Sequence, residues 1–150
     1  MSAVSRAENY SFWNPEYLLE ASVDIDAPVD EVFAFFSNAE NLGAITPESL
    51  HFQILSPLPI EMRSGAIIDY RIRLMGAPMR WRTEITAWEP NRRFIDSQRR
   101  GPYKLWEHEH LLEAIDGGTR MIDQVRYALP FGPLGAIAHA LFVRRQVEAI

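Results

Sequence analysis

Residues 105–112 read Leu-Trp-Glu-His-Glu-His-Leu-Leu, and this alternation constrains the fold more than any other segment. Side chains of a β-strand point alternately to opposite faces, so every second residue shares a face. One face of such a strand carries Trp106, His108, His110 and Leu112. The other face carries two glutamates, which favours the first as the buried face. Because buried ionisable groups need partners, a ligand or a chemical role, the segment predicts a functional site at the two histidines.

Length, charge and cysteine content restrict the class of protein. A chain of 150 residues with a net charge of -5 predicts one domain with no general attraction to nucleic acid or to an anionic membrane. The absence of cysteine excludes disulfides and thiolate chemistry. No apolar run reaches the length of a membrane span, and the first ten residues lack the apolar core of a signal peptide. We therefore expect a cytoplasmic protein without integral membrane association.

Arginines are concentrated in the middle of the chain. We interpret them as the solvated convex face of a sheet rather than a nucleic-acid surface, because Asp69 and Glu84 are interleaved with them. The cluster consists of Arg71, Arg73, Arg80, Arg82, Arg99 and Arg100.

Hydrophobic periodicity divides the chain into an N-terminal arm over 1–16 and a single domain over 17–150. The arm contains the aromatic segment Tyr-Ser-Phe-Trp at 10–13. The domain reads as a strand, two short helices of which the second ends before Pro47, about six further strands and a long helix over 132–150. This order favours an α+β fold in which an antiparallel meander, apolar on one face, curls around the last helix. Such a wrap predicts a cavity between the sheet and that helix.

The turn sequence Asp-Gly-Gly at 116–118 predicts the register of the last two strands. A hairpin centred on its two glycines places His110 opposite Val125 and Leu112 opposite Asp123. In this register Asp123 is a diagonal neighbour of His110, within reach of its side chain.

A second hairpin, around 99–102, brings Asp96 near His108 or Trp106. Alternation over residues 79–87 also places Ala87 on the inward face. The predicted inward face therefore combines polar groups with an aromatic and aliphatic wall. The ligand-binding candidates on this face are Tyr70, Trp81, Thr83, Ile85, Phe94, Asp96, Gln98, Trp106, His108, His110, Leu112, Asp123 and Tyr127.

Four roles are open for His108 and His110. They can belong to a structural hydrogen-bond network with Asp96, Asp123 and Tyr127, or anchor the polar group of a ligand. They can act in general acid–base catalysis, with His108, His110 and Asp123 as the catalytic candidates. They can also ligate zinc or iron, but the surrounding side chains are apolar, so we expect no metal. No phosphate-binding glycine loop or serine elbow is present, and we expect no cofactor.

The order of motifs from residue 19 to residue 150 resembles a known superfamily. The motifs that carry the resemblance are Ile25-Asp-Ala-Pro28, Glu31-Val-Phe33, Asn41-Leu42, Thr46-Pro47, Trp81-Arg-Thr83, Trp88-Glu-Pro90, Phe94, Asp96, Gly101-Pro-Tyr103, Trp106, His108, His110, Gly118-Thr119, Asp123 and Pro130. They are similar to those of the SRPBCC or helix-grip superfamily, which includes START lipid-transfer domains, aromatic polyketide cyclases and the birch-pollen allergen. The pattern is most like a bacterial ligand-binding branch of it.

This resemblance implies a helix-grip fold, a curved antiparallel sheet of about seven strands around a long C-terminal helix, with two short helices after the first strand. It implies that a small hydrophobic or amphipathic molecule binds between sheet and helix. One alternative is a cyclase or dehydratase that uses the inward histidines for acid–base chemistry. Another is an auxiliary domain that docks on a partner enzyme through the aromatic segment. A homodimer is compatible with each.

Overall fold

An antiparallel sheet of eight strands makes up most of the part of the chain that the structure, a computed structural model, describes: residues 2–8, 15–74, 76–132 and 134. The strands are β1 (Ser2–Glu8), β2 (Glu16–Ile25), β3 (Gln53–Ile54), β4 (Ile67–Leu74), β5 (Ala77–Glu89), β6 (Arg93–Arg100), β7 (Leu105–Ile115) and β8 (Gly118–Ala128). Their order across the sheet is β1-β2-β8-β7-β6-β5-β4-β3. Strands β3 to β8 therefore form the predicted meander, and β2 pairs with β8.

The predicted curved antiparallel sheet with two short helices is confirmed, with one strand more than expected. The sequence did not predict strand β1, which pairs with β2 from Ser2 opposite Ser22 to Glu8 opposite Glu16. The aromatic segment 10–13 lies outside the described residues, and so does the predicted helix over 132–150 except for residues 132 and 134.

Helix α1 (Val29–Phe36) packs on one end of the sheet. It begins directly after Pro28, whose φ of -63° suits entry into a helix. Two acidic residues lie in its first turn, where the helix dipole favours negative charge. Its Val32 and Phe33 are buried against side chains of β6, β7 and β8. Helix α1 therefore does not cover the middle of the sheet.

A short irregular segment follows α1. The side chain of Asn38 accepts a hydrogen bond from the backbone N–H of Glu40 at 3.0 Å and caps a 3-10 turn over Ala39–Asn41. Helix α2 (Leu42–Ile45) follows, and a second 3-10 turn over Glu48–Leu50 leads to β3. The predicted second short helix ending before Pro47 is thus present, in two parts.

The β7–β8 hairpin has a different register from the predicted one. Ile115 pairs with Gly118, so the turn is centred one residue earlier than predicted and every cross-strand partner shifts by two residues. The predicted pairs of His110 with Val125 and of Leu112 with Asp123 are therefore wrong. The observed inward pairs are Trp106–Tyr127, His108–Val125, His110–Asp123 and Leu112–Met121.

Two glycines with different tasks explain this register. Gly117 adopts a φ of +80°, which L side chains rarely adopt, and therefore lies in the turn. Gly118 lies in the strand itself, where a Cβ would come within 2.1 Å of the carbonyl oxygen of Ile25. The lack of a side chain at Gly118 lets β8 start directly beside the end of β2.

A bulge in β5 changes which residues face inward. On one side of it, Ile85 pairs with Asp96 and both lie on the inner face. Beyond it, Trp88 pairs with Phe94 and contacts its ring. The predicted inward position of Ala87 is therefore wrong, because one extra residue in a strand reverses the facing of those that follow.

The inner face of the sheet carries the core. An aromatic cluster lies at one end of it and includes Trp81, Tyr103, Trp106 and Tyr127. A second cluster lies beneath α1. Among the described residues, no helix is long and apolar enough to cross a membrane.

Candidate functional site

Four ionisable side chains meet on three neighbouring strands in the middle of the sheet. His108 and His110 lie on β7, Asp96 lies on β6 and Asp123 on β8. Asp96 is the cross-strand partner of His108, and Asp123 is that of His110. Both aspartates therefore flank the histidine strand on its inner face, as the alternation predicts. We call these four residues the His–Asp network.

The network is connected by three short contacts. His110 Nε2 lies 2.8 Å from Asp96 Oδ2, and His108 Nε2 lies 3.0 Å from Asp123 Oδ1; in both, the imidazole N–H donates to the carboxylate. His110 Nδ1 also lies 3.0 Å from Asp123 Oδ1 but lacks hydrogen-bond alignment, so this contact is electrostatic. His110 thus stands between two carboxylates, and Asp123 between two imidazoles.

Aromatic rings hold the two imidazoles in place. The rings of His108 and His110 stack with centroids 3.7 Å apart, and Phe94 stacks on His110 at 4.1 Å. The indole of Trp106 meets His108 edge-on at 6.5 Å. Because each ring limits the rotation of the next, the orientation of the imidazoles is set by packing as well as by hydrogen bonds.

Burial and charge act in opposite directions on His110. Burial disfavours its charged form, but the close contact with Asp123, the hydrogen bond to Asp96 and the negative charges of both outweigh burial and raise its pKa to about 9. Burial would raise the pKa of Asp123, yet the hydrogen bond from His108 and the close contact with His110 hold that pKa well below its ordinary value. At neutral pH the network therefore contains an imidazolium at His110 beside an ionised Asp123.

The network lies between two adjoining pockets. The first has a volume of about 150 Å³, and the second one of about 670 Å³. Both pockets are lined by Phe36, Ile45, Trp106, His108 and His110. Asp96 borders only the first and Asp123 only the second. Each pocket thus meets both histidines and one of the two carboxylates.

The first pocket contains a second polar point. Tyr70 Oη lies 3.4 Å from Thr83 Oγ1, and both side chains line the pocket. Burial raises the pKa of Tyr70, the hydrogen bond with Thr83 opposes this, and the charge of Asp96 adds to the rise. Tyr70 therefore remains a neutral hydroxyl that can donate or accept a hydrogen bond.

Ten of the thirteen predicted ligand-binding residues border a pocket. They are Tyr70, Trp81, Thr83, Ile85, Phe94, Asp96, Trp106, His108, His110 and Asp123. The other three lie elsewhere. The Gln98 side chain closes the β6–β7 turn through two hydrogen bonds to the backbone of Tyr103. Leu112 packs beneath α1, and Tyr127 is fully buried in the aromatic cluster.

Sequence reasoning missed the side of the first pocket opposite the sheet. The last residue of α1, Phe36, lines this side, and the segment between α1 and β3 supplies Ser37, Ala39, Leu42, Ile45, Thr46, Leu50 and Phe52. The available signal was the number of apolar residues in a segment that Pro47 prevents from forming one long amphipathic helix. Such residues need another surface to cover, and here it is the inner face of the sheet.

Three members of the His–Asp network have side chains that could ligate a metal. One donor atom each of Asp96, His108 and His110 lies within 4.8 Å of the others. A metal would have to displace the proton that His110 donates to Asp96. We therefore expect protein purified without a histidine tag to contain no stoichiometric transition metal. One equivalent by elemental analysis, lost in His108→Ala, would contradict this.

Comparisons with known proteins agree on the fold. The chain is similar in structure to TTHA0849 from Thermus thermophilus, with a TM-score of 0.70, 19% identity and coverage of 88% of this chain and 90% of that one. It is similar to Ms6760 from Mycobacterium smegmatis, with a TM-score of 0.62, 16% identity and coverage of 88% and 84%. It is also similar to major latex-like protein 151 from Panax ginseng, with a TM-score of 0.58, 16% identity and coverage of 89% and 96%.

At these identities the structural similarity shows the fold alone, and it confirms the helix-grip class. A search of curated proteins found no match. A family model described as polyketide cyclase / dehydrase and lipid transport matches residues 18–150. The match covers most of the chain, which therefore belongs to the polyketide cyclase / dehydrase and lipid transport family of the SRPBCC superfamily.

Proposed function

We propose that this protein binds a small, mostly apolar molecule in the two pockets on the inner face of the sheet, with a polar group of the ligand on the His–Asp network. The observation that carries the proposal is the position of that network. Among side chains that are mainly aromatic and aliphatic, four ionisable groups converge where the two pockets meet. Ligand sites typically combine an apolar wall with a few convergent polar groups.

The volumes set the size of the molecule. An apolar cavity of about 150 Å³ accommodates a single benzene ring. A pocket of about 670 Å³ falls within the range of sites for drug-sized ligands. A ligand that places a ring in the first pocket and extends into the second would pass the two histidines on its way.

The charges of the His–Asp network indicate which polar group the ligand carries. Two carboxylates face two imidazoles, so the four side chains carry no net positive charge even with both imidazoles protonated. An anionic ligand would therefore meet no excess positive charge, and it would lose its hydration on entry. A neutral hydroxyl can donate to a carboxylate and accept from an imidazole. We thus expect the ligand to carry a hydroxyl or carbonyl group rather than a carboxylate.

Matched probes test this preference. Displacement of an environment-sensitive apolar dye should show that dodecanol binds more tightly than dodecanoate at pH 7. Trp81→Ala should weaken dye binding, and Ile85→Trp should abolish it by filling the first pocket. Ile67→Trp, an exposed position of β4, is the matched control and should leave binding unchanged. Dye binding that begins only on unfolding, or tighter binding of dodecanoate, would contradict the proposal.

An enzymatic role is the second candidate, and one observation favours it. His110 holds a proton near neutral pH while bordering both pockets, which is what a general acid requires. In a dehydration, His108, oriented by Asp123, would take a proton from the carbon between the carbonyl and the hydroxyl-bearing carbon. A C=C bond forms as the C–O bond breaks, and the leaving hydroxyl takes a proton from His110 and departs as water. Mass spectrometry of a β-hydroxyketone probe should then show loss of water, suppressed in His110→Leu. If the mass of the probe did not change, the enzymatic role would be rejected and ligand binding would remain the proposed function.

Cytoplasmic localisation, homodimer formation and docking through the segment 10–13 stay predictions. Light scattering after gel filtration measures the oligomeric state directly. Native mass spectrometry of the same fractions would reveal a co-purified small molecule and its mass. Protein that carries no bound molecule and still binds no apolar probe would oppose the ligand-binding proposal.

A further inference from the structure

Strands β4, β5 and β6 carry an excess of positive charge on their outer face, opposite the face that holds the His–Asp network. Six exposed arginines lie on the neighbouring strands β4, β5 and β6: Arg71, Arg73, Arg80, Arg82, Arg99 and Arg100. Among the described residues, only two carboxylates, Asp69 and Glu84, form ion pairs with members of this group. We call the six residues the arginine patch. Its excess of four positive charges contrasts with the net charge of -5 of the whole chain.

The pairing of arginines within the patch does not stabilise the sheet. Arg71 is the direct cross-strand partner of Arg80, and Arg82 that of Arg100. Like charges directly opposite each other in a sheet are destabilising. Within the described part of the chain, Arg80 and Arg100 have no carboxylate at ion-pair distance. The arginines therefore oppose each other without full compensation, which is typical of a surface kept for an anionic partner.

Asp69 shows how closely these charges approach one another. Its carboxylate accepts hydrogen bonds from Arg82 at 2.8 and 3.1 Å. These bonds, together with the charges of Arg82, Arg80 and Arg100, lower the pKa of Asp69 against the opposing effect of burial. One carboxylate thus lies within the field of three guanidinium groups, and it cannot neutralise all of them.

An apolar hairpin tip adjoins the patch. The described residues of this tip, 76–79, read Gly-Ala-Pro-Met and contain no polar side chain. Gly76 turns the chain with a φ of +82°, and both Ala77 and Pro78 are exposed. Arg73 lies opposite Pro78, and the Arg71–Arg80 pair is the next outward pair along the hairpin. The tip is therefore flanked by arginines on both of its strands.

We propose that the arginine patch and the apolar tip form a docking surface for an anionic phospholipid membrane. Apolar atoms at the tip enter the boundary between headgroups and acyl chains, and the arginines contact phosphate groups. A nucleic acid fits less well, because in the described parts of these strands no exposed aromatic side chain for base stacking lies among the six arginines. The docking is peripheral and independent of the proposed ligand site, since the patch lies on the opposite face of the sheet.

Vesicle sedimentation tests the docking surface without any pocket ligand. The full chain should bind vesicles of equal parts phosphatidylcholine and phosphatidylglycerol, and should not bind phosphatidylcholine alone. Each arginine near such a surface contributes about a fivefold factor in affinity, so the double substitution R71Q/R80Q should weaken binding roughly 30-fold. Added salt should weaken the wild type as well. A single substitution at the tip, Ala77→Asp, should weaken the binding that persists at high salt.

The matched control is R120Q/R126Q, which removes the same charge from two exposed arginines of β8. It should leave vesicle binding nearly unchanged, and thermal unfolding should confirm that both double variants are folded. Equal losses in the two double variants would show a general charge effect and overturn the proposal. Failure of the wild type to bind anionic vesicles would also overturn the proposal. This holds equally if the protein instead binds a DNA duplex through Arg71 and Arg80.

Discussion

Two regions of this sheet contain ion pairs of the same length in opposite surroundings. On the outer face, Arg120 Nε and Asp24 Oδ1 are 2.8 Å apart, with side chains 45% and 55% exposed. On the inner face, His110 Nε2 and Asp96 Oδ2 are also 2.8 Å apart, with side chains 10% and 21% exposed. The distances are equal, yet water solvates the outer charges whether or not they are paired. Burial, rather than distance, decides what each contact contributes to stability and what it is available to do.

The two regions also differ in connectivity. The outer pair can lose one member and leave the other in water. In the inner network, His110 contacts both aspartates and Asp123 contacts both histidines, so one substitution changes several interactions. Residues in one such network are expected to show non-additive effects. Substitutions that remove a single partner therefore separate the two regions.

The largest effect is expected for His110→Leu. The leucine is apolar and of similar size, but it leaves the carboxylate of Asp96 without its imidazole and removes one partner of Asp123. Breaking a buried charge pair in this way typically costs about 3–5 kcal/mol, and the partial exposure of both aspartates places the expected loss near the lower end, about 3 kcal/mol. Urea unfolding measures it. A loss below about 1 kcal/mol would show that water reaches the aspartates freely.

The next largest effect is that of pH. The pKa of His110 is raised to about 9 in the folded protein from an ordinary value of 6.5. A raised pKa stabilises the protein fully below the ordinary value, and the contribution is lost as the pH rises through the folded value, in total about 3 kcal/mol at most. Unfolding free energies should therefore fall between pH 6.5 and about pH 9. The same series in His110→Leu should be flatter, and an equal slope would assign the effect to other groups.

His108→Leu should have a smaller effect on stability. Its only described carboxylate partner, Asp123, retains His110 after the substitution, so we expect a loss below about 1 kcal/mol. Its effect on ligand affinity should be larger, about tenfold, because His108 borders both pockets. Dye displacement and urea unfolding on the same preparation measure both. A large destabilisation with unchanged affinity would make His108 a structural residue.

The inner network could be predicted from the sequence because its elements follow the period of two. Alternation in β7 placed His108 and His110 on one face, and hairpins on either side brought Asp96 and Asp123 to it. The sequence could not predict which aspartate contacts which histidine. That depends on the register of the β7–β8 hairpin, and Gly117 and Gly118 are interchangeable as turn residues until the contact of Gly118 with Ile25 is known.

Other features could not be predicted for a related reason. The bulge after Ile85 leaves no mark in the local pattern, so Trp88 was not expected on the inner face. The segment between α1 and β3 faces the sheet through contacts distant in sequence, as Phe52 with Tyr70 illustrates. Strand β1 lacks the run of β-branched and aromatic residues typical of strands. It is a strand because it pairs with β2.

The smallest effect is expected on the outer face, where Arg120→Gln removes the partner of Asp24. Both side chains are solvated, the pair is screened by salt, and ordering two exposed side chains opposes the gain from pairing. We therefore expect no measurable change in unfolding free energy, at low or at high salt. Asp24→Asn, which removes the other member, should behave the same way, whereas the inner face should respond differently to the loss of each partner. If either outer variant proved as destabilising as His110→Leu, exposure would not be the property that separates the two regions, and the contrast between them would have to rest on the connectivity of the inner network alone.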